Sequence, residues 1–275
     1  MMKKSILITG CSSGIGYDTA HYLHQNGYRV FATARAQHDV DRLRLEGLDA
    51  YRLDVTSVET IEQTLEAVLQ QTGGTLDALF NNAGYGQPGA LEDITIAVLQ
   101  EQFATNVFGL HELTRRIIPV MRAQGYGRII QHSSVLGLVS LRFRGAYNAS
   151  KYAVEGLCDT LRLELEGSNI YVVTLNTGPV TSKFRDNALK MFSKHVAHNR
   201  SFFSQAYEQE LLDSTEQKEA STFTCHSDAV IDKVLKAVEA KRPSPRYYIT
   251  GATHLLGALK RLLPTRTLDK LLRKI

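Results

Sequence analysis

Cysteine is scarce in this chain: Cys11, Cys158 and Cys225 are the only three in 275 residues. Their odd number and wide separation give no disulfide framework and no metal-ligand spacing, so reduced thiols and no bound metal are expected. Charge of one sign is also lacking. A formal net charge of +4 is too mild to argue for nucleic acid, and no nucleic-acid motif accompanies it. Internal repeats and low-complexity tracts are absent, which excludes solenoids and linker-like chains. The opening MMKKSILITG has a basic pair and a short apolar run. That run leads into a glycine turn instead of a small-residue cleavage site, so a cytoplasmic protein without a signal peptide is expected.

What is present is ordinary globular material, 43% apolar and 22% charged, in a length suited to one large α/β domain. Apolar or β-branched runs at 5–10, 28–34, 50–55, 76–84, 127–134, 170–178 and 246–251 read as strands. Amphipathic stretches at 14–27, 57–71, 95–121 and 147–166 read as helices between them. Several strands are apolar at successive positions, as expected where helices cover both faces of a sheet. The pattern predicts a single doubly wound parallel sheet, a Rossmann fold with right-handed crossovers. Residues 1–250 are expected to form this dinucleotide-binding and catalytic domain. Within it, 183–226 carries Phe184, Met191, Phe192, Phe202, Phe203, Tyr207 and Phe223 among charges with weak periodicity, which suggests a mobile insertion acting as a substrate lid. Residues 251–275 read as a separate basic amphipathic tail.

The stretch ITGCSSGIG, residues 8–16, ends the first strand in a glycine-rich turn and enters a helix. Gly10 allows the turn, Gly14 allows a pyrophosphate to approach the backbone, and Gly16 allows close helix packing. Free N–H groups and the positive end of the helix suit phosphate. The glycine spacing departs from the commonest dinucleotide fingerprint, so a structural turn is the alternative. After the second strand come Thr33, Ala34 and Arg35, with no acid until Asp39. A carboxylate there would favour NAD, whereas an arginine accommodates the extra phosphate of NADP. NADP(H) is therefore expected, with Arg35 and Ser12 or Ser13 on the 2′-phosphate; a solvated Arg35 is the alternative. Asp54, ending the third strand, is placed to accept from the adenine amino group.

Tyr147 and Lys151 stand four residues apart on a predicted helix and so share a face. A phenol ordinarily titrates near ~10, and a fixed positive charge beside it favours the phenolate. Such a tyrosine can give a proton to a carbonyl oxygen or take one from an alcohol. Surface residues with no shared task are the alternative for this pair alone. His132 is expected to be a strand residue with a satisfied ring and no catalytic part.

Taken together, TGCSSGIG, NNAG at 81–84, Asn106, SSVLG at 133–137 and YNASK at 147–151 resemble the short-chain dehydrogenase/reductase family in its compact branch, over roughly residues 3–250. The resemblance implies catalytic roles for Asn106, Ser134, Tyr147 and Lys151: Ser134 binds the substrate oxygen, Lys151 also holds the nicotinamide ribose, and Asn106 supports a proton relay. It extends the cofactor-binding set to Ile15, Val55, Asn82, Ala83, Gly84, Val180 and Ser182. One departure is that Thr177 stands where the family commonly has proline, which predicts a looser backbone and makes the carboxamide contact of Ser182 the least secure. ATAR, SSVLG and LKRLLP are similar to stretches of bacterial NADP-dependent aldehyde reductases and retinol and 17β-hydroxysteroid dehydrogenases. That similarity implies an apolar aldehyde, ketone or alcohol as substrate. A 3-oxoacyl-carrier reductase and a non-catalytic NADPH-sensing regulator are the alternatives. Homo-oligomers are common in the family, with the helices at 95–121 and 147–166 available to pair.

In the tail, Leu255, Leu256, Leu259, Leu262 and Leu263 recur at helical spacing, followed by Leu268, Leu271, Leu272 and Ile275 after Pro264. Lys260, Arg261, Arg266, Lys270, Arg273 and Lys274 face only Asp269 in sign, so the chain's whole positive excess lies here. Too short to span a bilayer, the tail is suited either to peripheral contact with the inner membrane surface or to packing on the enzyme or a partner subunit.

Overall fold

The computed structural model describes residues 4–209 and 224–275. Strands β1 (Ser5–Ile8), β2 (Arg29–Ala34), β3 (Asp49–Arg52), β4 (Ala78–Asn81), β5 (Gly127–Ser134), β6 (Ile170–Thr177) and β7 (Arg246–Tyr248) form one sheet. Its order is β3-β2-β1-β4-β5-β6-β7, and every neighbouring pair is parallel. The order reverses between β1 and β4, the place where doubly wound sheets open a crevice beyond the strand ends.

Successive strand side chains point to opposite faces, and here both faces are covered. Ile6 and Ile8 pack with Leu23 of α1 (Gly14–Gln25), Val40 of α2 (Gln37–Leu45) and Val234 of α9 (Asp228–Glu239). Leu7 faces the other way, against Ile61 of α3 (Val58–Thr72), Leu113 of α5 (Leu110–Gln124) and Val154 of α6 (Gly145–Glu164). Phe80 and Val173 join the first core while Leu79 and Val172 join the second. This two-sided burial is why the strands read as continuous apolar runs.

The structure departs from the sequence reading in three places. The charged helix α2 carries no clear apolar stripe, because only Val40 and Leu43 of its nine residues are buried. The helix expected across 95–121 is interrupted: α4 (Ile96–Phe103) passes through a π-helical turn at Ala104–Gly109 before α5. Gly109 permits this turn, since a Cβ there would lie 2.3 Å from the Val55 carbonyl oxygen.

The insertion, expected to be mobile, is anchored where it is described. It forms α7 (Phe184–His195) and α8 (Ser204–Tyr207). Phe192 and Tyr207 are wholly buried and pack with Ala90, Phe143 and Val196 in a core of their own. The Tyr207 hydroxyl accepts from the Ala90 amide at 2.7 Å and donates to Asp93, which Ser201 also reaches at 2.6 Å. Phe202 is exposed, and Phe223 lies outside the described residues. Beyond β7, α10 (Gly251–Leu262) and α11 (Thr265–Leu272) follow directly. No helix among the described residues is long and apolar enough to cross a membrane.

Candidate active site

The chain leaves β1 through Gly10 at φ +74° and enters α1 at Gly14 at φ +61°, conformations that L side chains rarely adopt. Gly16 is required for a different reason. A Cβ there would meet both the Asn82 amide nitrogen and the Gly10 carbonyl oxygen at 2.4 Å, so its close contact is with the turn itself. Ser13 occupies the N-cap of α1 with no side-chain bond to the helix, and no acid occupies the first turn. The positive end of α1 is thus left free of the chain's own anions. Ile15 and Val180 pack partly buried against the first core, and Ser182 lies over the turn, its Cβ 3.2 Å from where a Gly14 Cβ would be. A pyrophosphate suits this turn, because the first N–H groups of α1 have no side-chain cap and no acid beside them.

Asn82 holds the cradle. Its amide nitrogen donates to the carbonyls of Thr9 and Gly10 at 2.9 and 3.2 Å, and its carbonyl oxygen meets the His132 ring at 2.9 Å. The Asn82 and Ala83 amides both donate to the Thr9 hydroxyl, at 3.0 and 2.9 Å. The Asn82 side chain is fully engaged by these bonds within the protein.

Arg35 is exposed just past β2. The first acid after it, Asp39, is paired with Arg42 at 3.2 Å, and Arg42 also donates to the Ser12 carbonyl at 2.7 Å. Asp54 accepts from the Thr56 amide and hydroxyl through one oxygen, at 2.9 and 2.8 Å, which leaves its second oxygen for another donor. Val55 beside it is buried.

Helix α6 sets Tyr147 and Lys151 one turn apart, both buried, with the ammonium 5.6 Å from the phenol ring centroid. Lys151 donates to the His132 carbonyl at 2.6 Å. Ser134, from the end of β5, hydrogen-bonds the Tyr147 hydroxyl and accepts from the Leu136 amide at 3.1 Å. Its neighbour Ser133 is not part of this contact; its buried hydroxyl finds no partner among the described residues.

The expected lowering of the phenol does not occur in this arrangement. Burial pushes Tyr147 up to about 12, opposed only by the Ser134 hydrogen bond. Burial also lowers Lys151 to about 8, against the opposing pull of Glu155. The lysine has therefore shed its charge before the phenol titrates, so its charge cannot assist at the higher pH. Below about 8, however, an ammonium and a protonated phenol coexist.

His132 is neutral, lowered to about 3 by burial and by the Lys151 charge. Its ring bonds Asn82 at 2.9 Å and the Thr177 hydroxyl at 3.2 Å, as expected for a satisfied ring. Thr177 also donates to the Ser133 carbonyl at 3.3 Å. The loosening expected from the missing proline is thereby countered by side-chain bonds that a proline could not make.

Asn106 lies in the π-helical turn, fully buried. Its carbonyl oxygen accepts from the Tyr85 amide at 3.1 Å, and its amide donates to the Tyr85 carbonyl and the Ser150 hydroxyl at 2.9 and 3.1 Å. With the side chain fully used, any relay through Asn106 is left to its main-chain carbonyl. Gly84 makes room at this point, since a Cβ there would lie 3.1 Å from the Asn106 oxygen and 4.0 Å from the Lys151 nitrogen.

Three features escaped sequence reasoning. Phe184, opening α7, sets its ring 5.4 Å from that of Tyr147, and a Cβ on Gly86 would be 3.0 Å from it. Buried Glu155, a further turn along α6 from Lys151, accepts from Asn176 at 2.7 Å and from Arg246 at 3.0 Å. Its i+4 relation to Lys151 was visible, but its partners come from β6 and β7. Lastly, His195 of the insertion bonds the Gln87 side-chain oxygen at 2.9 Å, the Gln87 main-chain N–H donates to Gln102, and Gln102 in turn holds the Tyr85 carbonyl. This polar chain joins the insertion to the loop that Asn106 fixes.

The family profile described as short chain dehydrogenase matches residues 4–192, and the chain belongs to the short-chain dehydrogenase/reductase family. It is an oxidoreductase of that family. It is 40% identical over 273 residues to the uncharacterized oxidoreductase YbbO of Escherichia coli, covering 99% of this chain and 95% of the relative. Similarity to the 3-ketodihydrosphingosine reductase of Bacteroides thetaiotaomicron is 31% over 275 residues, covering 99% and 98%. A short-chain dehydrogenase/reductase from Burkholderia phymatum, solved with NAD, superposes with a TM-score of 0.77 at 26% identity over 98% of this chain and 95% of that one. Actinorhodin polyketide ketoreductase, solved with NADPH, does so at 0.74 and 26%, over 93% and 97%.

Proposed function

We propose that the protein is an NADP(H)-dependent reductase of an apolar aldehyde or ketone, working in reverse on the alcohol. The observation that carries this reading is the buried Tyr147 hydroxyl, bonded to Ser134 and backed by Lys151, beside a glycine cradle fit for a dinucleotide. When bound, the cofactor supplies the hydride. Tyr147 delivers the proton to the carbonyl oxygen, Ser134 orients that oxygen, and the Lys151 ammonium stabilises the phenolate left behind. Asn106 supports reprotonation through its main-chain carbonyl. Gly10, Gly14, Gly16 and Ile15 receive the pyrophosphate, and Arg35 with Ser12 or Ser13 receives the 2′-phosphate. Asp54 and Val55 hold the adenine, Ala83 and Gly84 the adjoining ribose, and Lys151 the nicotinamide ribose. Val180 and Ser182 line the carboxamide.

Preference for NADP(H) over NAD rests on β2 ending at an exposed Arg35, with Asp39 already engaged by Arg42. An apolar substrate is supported by Phe184 over Tyr147 and by the relative that reduces 3-ketodihydrosphingosine. Exposed Phe108, Leu157 and Leu163 on the helices flanking the site support a homo-oligomer, and buried thiols at Cys11 and Cys158 a reducing, cytoplasmic setting.

The test is NADPH oxidation with medium-chain aldehydes, retinal, ketosteroids and 3-oxoacyl thioesters, run beside NADH and Tyr147→Phe. Turnover with NADPH that is lost in the variant upholds the reading. Preferential turnover of carrier-bound thioesters favours the 3-oxoacyl reductase, and tight NADPH binding with no turnover favours the sensor.

A further inference from the structure

Helix α10 is fixed on one side only. Its inner face buries Thr253, Leu256 and Gly257, and Leu256 packs with Val135 and Val139 on the turn that follows Ser134, joined by Leu259 and Leu272. The opposite face is left uncovered. Leu255 and Leu262, two helical turns apart on one side of α10, are 55% and 77% exposed. Beyond Pro264 the same character continues, with Leu271 and Ile275, one turn apart, at 36% and 68%.

The charges around these leucines are uncompensated. Lys260, Arg261, Arg266, Lys270, Arg273 and Lys274 are exposed, and among the described residues none of them forms an ion pair. They exceed Asp269 by more than the +4 of the whole chain, so the remaining surface is close to neutral and this one end is strongly basic. Lys260 also stands at the rim of a cavity of about 750 Å³ lined by Leu91, Leu141, Phe143 and Tyr152. Lys260 follows Leu256 by four residues and Gly257 by three, so it lies toward the inner face of α10, away from Leu255 and Leu262.

We infer that α10 and α11 dock on an anionic lipid bilayer, with Leu255, Leu262, Leu271 and Ile275 in the headgroup boundary and the six cations on lipid phosphates. Apolar side chains ringed by lysine and arginine suit that surface, because the two contributions act on the same element. This docking does not rest on the proposed activity.

The experiment is co-sedimentation of the full chain with vesicles of phosphatidylcholine alone or mixed with phosphatidylglycerol, at low and high salt. Binding to the anionic vesicles only, weakened by salt and reduced at least tenfold in Leu255→Glu/Leu262→Glu, is the expected result. The double variant should keep the wild-type melting temperature, its oligomeric state, and its NADPH turnover of a short water-soluble aldehyde. Equal binding by wild type and variant, binding indifferent to lipid charge, or no binding overturns the inference. A changed oligomeric state in the variant also overturns it, because a second copy of the chain then covers the leucines. Vesicle binding by a wild-type protein that turns over no carbonyl compound leaves the docking intact and removes the proposed activity instead.

Discussion

Replacing Glu155 by glutamine removes one charge from beside Lys151 with little change of shape. Glutamine keeps an oxygen for the Asn176 amide, now bonded at 2.7 Å, and loses the ionic contact with Arg246 at 3.0 Å. Residues i and i+4 of a helix lie roughly 6 Å apart, so at an effective dielectric of about 20 a unit charge at Glu155 favours the Lys151 ammonium by ~3 kcal/mol, or about two pH units. Arg246 neutralises part of that field, which leaves an expected shift of roughly one unit. Lys151 is held near about 8 in the native protein. The proposed mechanism requires Tyr147 protonated, which it is up to about 12, and Lys151 charged, which fails above about 8. The kcat/KM for NADPH-dependent reduction should therefore be level below about 8 and fall above it, and in Glu155→Gln the fall should begin roughly one unit lower. Arg246 retains Asp159, at 2.6 and 2.8 Å, so the stability loss should stay within roughly 1–3 kcal/mol. A variant that melts earlier yet keeps the native pH limb refutes the electrostatic coupling and makes Glu155 a structural residue only.

Gly16→Ala should lower stability by about 3 kcal/mol through crowding of Asn82 and the Gly10 carbonyl, and Gly73→Ala by only about 1 kcal/mol, since its φ of +68° is strained but its surroundings are open. Thermal unfolding separates the two, and equal losses refute the steric account of Gly16. Arg35→Ala should raise the KM for NADPH roughly 10- to 100-fold and leave that for NADH unchanged, as expected for one lost charge-assisted bond. A parallel rise for both cofactors argues against a 2′-phosphate contact. Phe192→Ala should destabilise by roughly 3–5 kcal/mol because the ring is wholly buried, whereas Phe184→Ala, whose residue is 41% exposed, should change the KM of large substrates more than the melting temperature. Loss of stability at Phe184 with an unchanged substrate range overturns that division.

The seven strands, the doubly wound class, the glycine turn and the Tyr147–Lys151 pair are legible in the order of the residues alone. Each is local: apolar runs, a turn that only glycine allows at Gly10, and helical spacing are set by residues near one another in the chain. Helix α2 was not legible because two buried side chains make too thin a stripe, and the π-helical turn at Asn106 answers to Val55, which is remote in the chain.

The behaviour of the site follows instead from packing between distant segments. Burial, which no single residue reveals, moved Tyr147 and Lys151 in the opposite sense to an isolated ion pair. It brought His132 of β5, Asn82 just past β4 and Thr177 of β6 together, so that side-chain bonds brace the backbone where the family commonly has a proline. It also divided the aromatics of the insertion, turning Phe192 and Tyr207 into anchors and leaving Phe184 beside Tyr147. Those outcomes depend on long-range packing, because dielectric, partner and exposure are properties of the folded neighbourhood and are not carried by the residue type.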